Sequence, residues 1–341
     1  MPPPPPLGRI RWVLLLACLA LALSAMAWFG WREFHRFEQR ALGSVGSVIT
    51  FERGMRLREL SAELAARGIS DAPYWQWRLL AQRSGLAARL QAGEYRIEAG
   101  MTPPDLLRSI TDGRVVQYRL TIVEGSRFRD LRVALAATPE LEQTLGGLDD
   151  AAVLARIGAT EAHPEGLFLP DTYFFPRGFA DVELLRRAYW AQKRLLEQAW
   201  QARAPELPLV DAYQALILAS VIEKETGRVG ERRQIAGVFI NRLRRGWRLQ
   251  TDPSVIYGLG EAFDGNLRRI DLQTDTPYNT YTRFGLPPTP IALPGRAAIK
   301  AAVEPATTDA MYFVARGDGS HVFSRTLDEH NAAVRRFQLG R

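Results

Sequence analysis

The chain has 341 residues, 47% of them hydrophobic, and carries a formal charge of +7. That hydrophobic content excludes a disordered chain and suits one large or two medium cores, two by a prior of about 150 residues per domain. The basic balance favours anionic surroundings such as lipid head groups, cell-wall polymers or nucleic acid. The excess is mostly scattered arginine, as at Arg244, Arg245 and Arg248, and no nucleic-acid module accompanies it. The single cysteine, Cys18, excludes an intrachain disulfide. His35, His163, His321 and His330 lack ligand spacing, so no metal is expected. No phosphate-cradling glycine loop, dinucleotide fingerprint or nucleophile elbow is present, so no cofactor is expected either.

Pro2 to Pro6 can form neither helix nor sheet and should be a short tail. From Trp12 to Trp31 the chain is uncharged and almost wholly apolar, about the 20 residues that cross a hydrocarbon core as a helix, with Trp12 at one end and Trp28, Phe29 and Trp31 at the other as interfacial anchors. Ala25-Met26-Ala27 and Leu15-Leu16-Ala17-Cys18 loosely resemble processing sites, but the apolar run continues past both. Arg9 and Arg11 precede the segment and Arg32, Arg36 and Arg40 follow it, so charge does not decide orientation. Residues 32–46 read as a juxtamembrane linker.

Three stretches then share one design. Phe51-Glu52-Arg53-Gly54, Ile97-Glu98-Ala99-Gly100 and Val123-Glu124-Gly125 each end a β-prone run with an acidic residue and a glycine. Leu60, Leu106 and Leu131 follow the glycine by six positions, and Leu64, Ile110 and Leu135 come four later. The spacing predicts a strand, a tight turn and an amphipathic helix in each. Tyr74 to Leu80 is a further helix, so Val48 to Ile97 reads strand, helix, helix, strand. That order resembles a LysM module, whose family binds N-acetylglucosamine polymers; Trp75 and Trp77 would then be either sugar platforms or core. Val115 to Val123 reads as a further strand, and Ser126 to Leu207 as helical with breaks. The loop Glu165-Gly166-Leu167-Phe168-Leu169-Pro170-Asp171-Thr172-Tyr173 in that region should pack between domains.

Ala215 to Ile222 is apolar on nearly every side and ends at Glu223. Asp211 with Gln214 reads as a capping box, and Gly227 suits a left-handed turn beyond the end. Burial and the negative end of the helix dipole both disfavour a carboxylate there, which predicts a protonated acid near neutral pH. Such a group on a rigid element is a candidate proton donor, the alternative being half of a surface ion pair with Lys224 or Arg228. Glu231 to Arg245 is a second helix, with Ile235, Val238, Phe239 and Leu243 inward and Gly246 ending it. Beyond it, turn-rich segments dense in amide, hydroxyl and aromatic groups suit sugar binding.

Glu223-Lys224-Glu225-Thr226, Asn241-Arg242-Leu243, Leu249-Gln250-Thr251-Asp252-Pro253-Ser254-Val255-Ile256-Tyr257-Gly258, Tyr278-Asn279-Thr280-Tyr281 and Gly285-Leu286-Pro287-Pro288 occur in that order. Together they resemble the MltG-type (YceG-like) endolytic murein transglycosylases, with Glu94-Tyr95, Val123-Glu124-Gly125 and Pro170-Asp171-Thr172-Tyr173 agreeing upstream. The resemblance implies an α+β protein of the inner membrane with a cytoplasmic N-terminus. Its divisions would be a tail (1–11), a single transmembrane helix (12–31), a linker (32–46), a LysM-like subdomain (47–123), a connecting helical region (124–205) and a mainly helical periplasmic catalytic domain with loop and strand insertions (206–341). It implies Glu223 as the catalytic acid and Asn241, Arg242, Gln250, Thr251, Asp252, Tyr257, Tyr278, Asn279 and Tyr281 as substrate-binding. Glu225 points to another helix face, and Asp252 is the best candidate for a second carboxyl. The expected partners are peptidoglycan strands, the lipid bilayer and peptidoglycan synthases. The rivals are a non-catalytic wall-binding scaffold and, more distantly, a pyridoxal-phosphate lyase using Lys224.

Overall fold

A computed structural model describes residues 7–86 and 89–340; the proline tail expected at Pro2 to Pro6 lies outside the described residues. The architecture is mixed α and β, about half helical, in two compact units, Met1–Gln117 and Tyr118–Arg341.

The first unit opens with α1 (Leu7–Gln39), in which Arg11–Gln39 is long and apolar enough to cross a membrane. The expected linker from residue 32 is a continuation of this helix as far as Gln39. The reason is packing: Phe34 and Phe37, three residues apart, enter the unit's core. Then come β1 (Val48–Phe51), α2 (Leu57–Ala66), α3 (Tyr74–Arg83), β2 (Gly93–Arg96) and α4 (Pro103–Thr111). The strands pair antiparallel, Val48 opposite Arg96 and Phe51 opposite Gly93. Trp77 is fully buried, edge-on to Phe37 at 5.1 Å, whereas Trp75 is half exposed.

The second unit runs β3 (Tyr118–Thr121), α5 (Phe128–Ala136), β4 (Leu141–Glu142), α6 (Asp150–Ile157), β5 (Thr172–Phe175), β6 (Phe179–Ala180), α7 (Asp181–Gln201), α8 (Ala212–Glu225), α9 (Arg232–Arg244), α10 (Asp252–Leu259), α11 (Arg269–Gln273), α12 (Arg296–Val303), β7 (Tyr312–Ala315), β8 (His321–Ser324) and α13 (Leu327–Phe337). Its strands form short pairs, antiparallel β3 with β5 and β7 with β8, parallel β4 with β6. One core joins the region before Leu207 to the helices after it. Leu167 and Phe168 enter that core and Leu169 beside them is buried, so the loop expected to pack between domains is part of the second unit's own interior.

The three turn-and-helix units form as the spacing requires. Gly54, Gly100 and Gly125 adopt φ of +89°, +76° and +75°, where a side chain would be strained. The stripes Leu60/Leu64, Leu106/Ile110 and Leu131/Leu135 are buried. A carboxylate three residues into each helix accepts the N-cap N–H: Glu59 from Arg56, Asp105 from Thr102 and Asp130 from Arg127, at 2.9–3.1 Å.

Gly237, inside α9, marks a close approach to the chain after α12. A Cβ there would lie 2.6 Å from the Ala306 carbonyl oxygen and 2.8 Å from Thr308 Cγ2. Helix propensity alone would make Gly237→Ala stabilising by about 1 kcal/mol. Overpacking against backbone should reverse the sign, for a net loss of about 1–3 kcal/mol. Thermal denaturation should show a lower Tm for this variant; an unchanged or higher Tm would mean the 306–308 segment yields freely.

Candidate active site

Residues Ala215 to Glu223 of α8 are buried in succession, so the helix is a core element rather than an amphipathic one. Its start is fixed as the pattern predicts: Asp211 accepts the Gln214 N–H at 2.8 Å, and the Gln214 side chain reaches back to the Val210 N–H at 3.0 Å. Its end differs from expectation. The chain leaves through Thr226 in an extended conformation (φ −146°), and Gly227 is not among the left-handed glycines. The Thr226 hydroxyl accepts the Arg228 N–H at 3.0 Å, which turns the chain without a left-handed residue.

The Glu223 side chain is only 4% exposed. Three segments close over it. Arg232, in the first turn of α9, donates Nη2–H to Glu223 Oε1 at 2.6 Å, and the Gly295 N–H, at the N-cap of α12, donates to Oε2 at 2.9 Å. The turn after β3 supplies Gly125, held to the Leu293 carbonyl at 2.9 Å while the Leu293 N–H reaches Ser126 at 2.8 Å. Lys224 caps this turn by donating to the Gly125 carbonyl at 3.2 Å. Glu124, half exposed, places its carboxylate 3.5 Å from the Arg232 guanidinium. A Cβ on Gly295 would fall 1.9 Å from that carboxylate, so the residue packed there must be glycine for Glu124 to keep this position.

Burial pushes the Glu223 carboxyl above its ordinary range; the Gly295 N–H and the Arg232 charge pull it down, Glu124 adds to the rise and Lys224 opposes it. The direction matches the expectation, but the surroundings are not simply apolar. The negative end of α8 is answered by the positive end of α12, and a buried cation is in contact. Glu223 can therefore exist both as an acid favoured by burial and as an anion with two prepared donors.

The remaining candidates divide into separate groups. Thr251, Asp252 and Tyr281 gather around Glu225, not Glu223. The Thr251 hydroxyl donates to Glu225, and the Tyr281 hydroxyl donates to Asp252 Oδ1 at 2.5 Å. Burial raises Glu225 to about 7, with the Asp252 charge adding to the rise and Thr251, His321 and Arg242 opposing it. Asp252 is thus a neighbour of Glu225, and the second carboxyl beside Glu223 is Glu124, which the sequence placed in a turn and in a stretch resembling the family but gave no role at the site. Tyr257 and Tyr278 meet edge to face at 4.9 Å, with Arg127 over the Tyr257 ring at 5.0 Å. The Tyr257 hydroxyl donates to buried Glu165 at 3.2 Å, and Glu165 also accepts the Phe128 N–H at 3.0 Å. Burial raises Glu165 to about 7. Its signal in the sequence was a lone acid opening an apolar loop.

Three candidates are engaged in holding loops. Asn241 donates to the carbonyls of Thr308 and Ala310, Arg242 to those of Met311 and Leu249, and Asn279 to those of Asp271, Leu272 and Thr274. Gln250 is exposed on left-handed backbone (φ +51°), its N–H held by the Thr280 carbonyl at 3.1 Å. Arg232 could have been suspected as a cation nine residues beyond the acid. A cavity of about 620 Å³ in the first unit, lined by Glu33, Arg36, Arg40 and Asp71 among others, contains none of the candidates. A buried acid with a cation and helix N-terminus prepared for its anion is the better guide to chemistry.

Comparison with known proteins identifies the family. The model of the YceG-like family matches residues 49–336. An endolytic murein transglycosylase of Bacillus subtilis is 32% identical, over 74% of this chain and 74% of its own length. One from Streptococcus pneumoniae is 27% identical over 72% of this chain, which spans about half the length of that relative. The crystal structure of a yceG-like protein from Listeria monocytogenes superposes with a TM-score of 0.54 at 29% identity, covering 84% of this chain and 99% of that one. With the family model covering most of its length and the same core fold seen in that crystal structure, the chain belongs to the YceG-like family.

Proposed function

We propose that the protein is a membrane-anchored lytic transglycosylase that cuts peptidoglycan glycan strands internally, between N-acetylmuramic acid and N-acetylglucosamine, leaving 1,6-anhydromuramic ends. The observation that carries the reading is Glu223, a buried carboxyl on a rigid helix with donors ready for its ionised form. Glycoside hydrolysis ordinarily uses two carboxyl groups. A transglycosylase manages with one, because the muramic 6-hydroxyl attacks C1 of its own ring and proximity replaces the external nucleophile. Glu223 first donates its proton to the glycosidic oxygen, whose bond to C1 breaks with the electron pair leaving on that oxygen. The carboxylate, held by Arg232 and the Gly295 N–H, then takes the proton of the attacking 6-hydroxyl.

In this reading Gln250, Asp252, Tyr257, Tyr278 and Tyr281 face the sugar chain, while Thr251, Asn241, Arg242 and Asn279 hold the loops that carry them. The β1-α2-α3-β2 segment acts as a LysM-like glycan-binding subdomain, with half-exposed Trp75 rather than buried Trp77 as its platform. The apolar helix anchors the protein in the inner membrane with its bulk periplasmic, next to peptidoglycan synthases.

The test is digestion of purified glycan strands and mass spectrometry of the new ends. Anhydromuramic ends released from the interior of strands are expected. Reducing muramic ends would mean hydrolysis, and no new ends at any enzyme concentration would leave a wall-binding scaffold.

A further inference from the structure

Arg232 is enclosed, with its side chain 5% exposed, yet it is poorly satisfied. Its Nη2 alone has partners, Glu223 Oε1 at 2.6 Å and Glu124 Oε2 at 3.5 Å, while Nε and Nη1 are buried without an acceptor among the described residues. A guanidinium has five donors, so leaving two buried nitrogens idle keeps the bound state shallow. The two carboxylates that compete for it differ. Glu223 is 4% exposed and Glu124 is 48% exposed, so water stabilises the Glu124 anion whether or not Arg232 attends it. Glu223 depends on Arg232 and the Gly295 N–H.

We propose that Arg232 is shared alternately between Glu223 and Glu124, and that Glu124 is the positioning residue that draws the guanidinium away so that Glu223 holds the proton it donates. The inference rests on the proposed transglycosylase reaction. With Arg232 on Glu124, Glu223 takes one proton from water and becomes the acid. When that proton passes to the glycosidic oxygen, Arg232 returns to the new carboxylate. It swings back to Glu124 as Glu223 recovers a proton from the 6-hydroxyl, so the cycle closes with no net proton. The charged and donor groups facing Glu223 from every packed segment are Arg232 from α9, Glu124 from the turn after β3, Lys224 from its own helix and the Gly295 N–H from α12. Of these charged groups, Arg232 is the cation in contact with both carboxylates.

The test is Glu124→Gln in the full chain held in detergent, read in two ways. The first is a carbon NMR titration of the Glu223 carboxyl without substrate, assigned by its absence in Glu223→Gln. Neutralising Glu124 should lower the midpoint by about one pH unit. The second is the pH profile of anhydro-end formation. Its basic limb should move down by the same amount, giving about a tenfold loss of activity on the basic side of the limb and little loss on the acidic side. Glu124→Asp, which keeps the charge, should restore most of the shift. An unchanged midpoint, or an equal fractional loss at every pH, overturns the proposal. If the wild type makes no anhydro ends, the reaction reading fails, and the substrate-free titration still decides whether Glu124 controls the protonation of Glu223.

Discussion

Glu223→Gln should reduce the formation of anhydromuramic ends by roughly a hundredfold to ten-thousandfold, the range that a positioned acid contributes. The amide keeps the shape but cannot titrate. It also leaves Arg232 facing a neutral group, since one end of the amide can accept from Arg232 or from the Gly295 N–H but not from both. A stability cost of about 1–3 kcal/mol is therefore expected as well. Circular dichroism and a melting curve separate the two effects, because a folded variant that retains glycan binding without cutting isolates the chemistry. Ordinary cutting by Glu223→Gln would end the assignment of this residue, whatever the products of the wild type.

Arg242→Met should unfold at a distinctly lower temperature. Arg242 Nε and Nη1 donate to the Met311 and Leu249 carbonyls at 2.8 and 2.6 Å, and the guanidinium lies 5.5 Å from the centre of the Tyr312 ring. Methionine fills similar volume but strands two buried acceptors at about 1–3 kcal/mol each. A Tm lower by roughly 5–15 °C follows for a unit of this size. Arg248→Met, at an exposed arginine over Phe284, is the control and should move Tm very little. The variant also distinguishes two roles for Arg242. A sugar-binding residue would raise KM and spare Tm, whereas a loop clamp lowers Tm; a melting curve unchanged from wild type would return Arg242 to the substrate.

Much of the local structure was legible because it depends on near neighbours. The spacing of Leu60 and Leu64, repeated at Leu106 and Ile110 and at Leu131 and Leu135, is enough to place three helices, since each stripe needs only a core to face. Asp211 caps α8 through a bond three residues away. Failures came where a distant segment outweighed a local rule. Gly227 carries the residue type of a left-handed cap, yet the Thr226 hydroxyl turns the chain. Residues 32–39 have the charge of a linker but remain helical because Phe34 and Phe37 find a core. Apart from these corrections, the sugar-binding chemistry of Asn241, Arg242 and Asn279 is legible in the sequence, while the backbone carbonyls that their donors meet are visible only in the fold.

The sequence by itself determined that an acid would be buried at the end of an apolar helix, because the eight residues before it leave no polar face. It also determined an apolar N-terminal helix long enough to span a bilayer and, through ordered motifs, the family. Only the tertiary structure decided what that acid meets. Arg232, Glu124 and Gly295 come from three segments brought together by the packing of α8 against α9 and α12, and the same packing turns Glu225 toward Thr251. Helical periodicity tells which side of a helix is buried; the charge waiting there is contributed by other parts of the chain, and electrostatics between segments leaves no trace in local spacing.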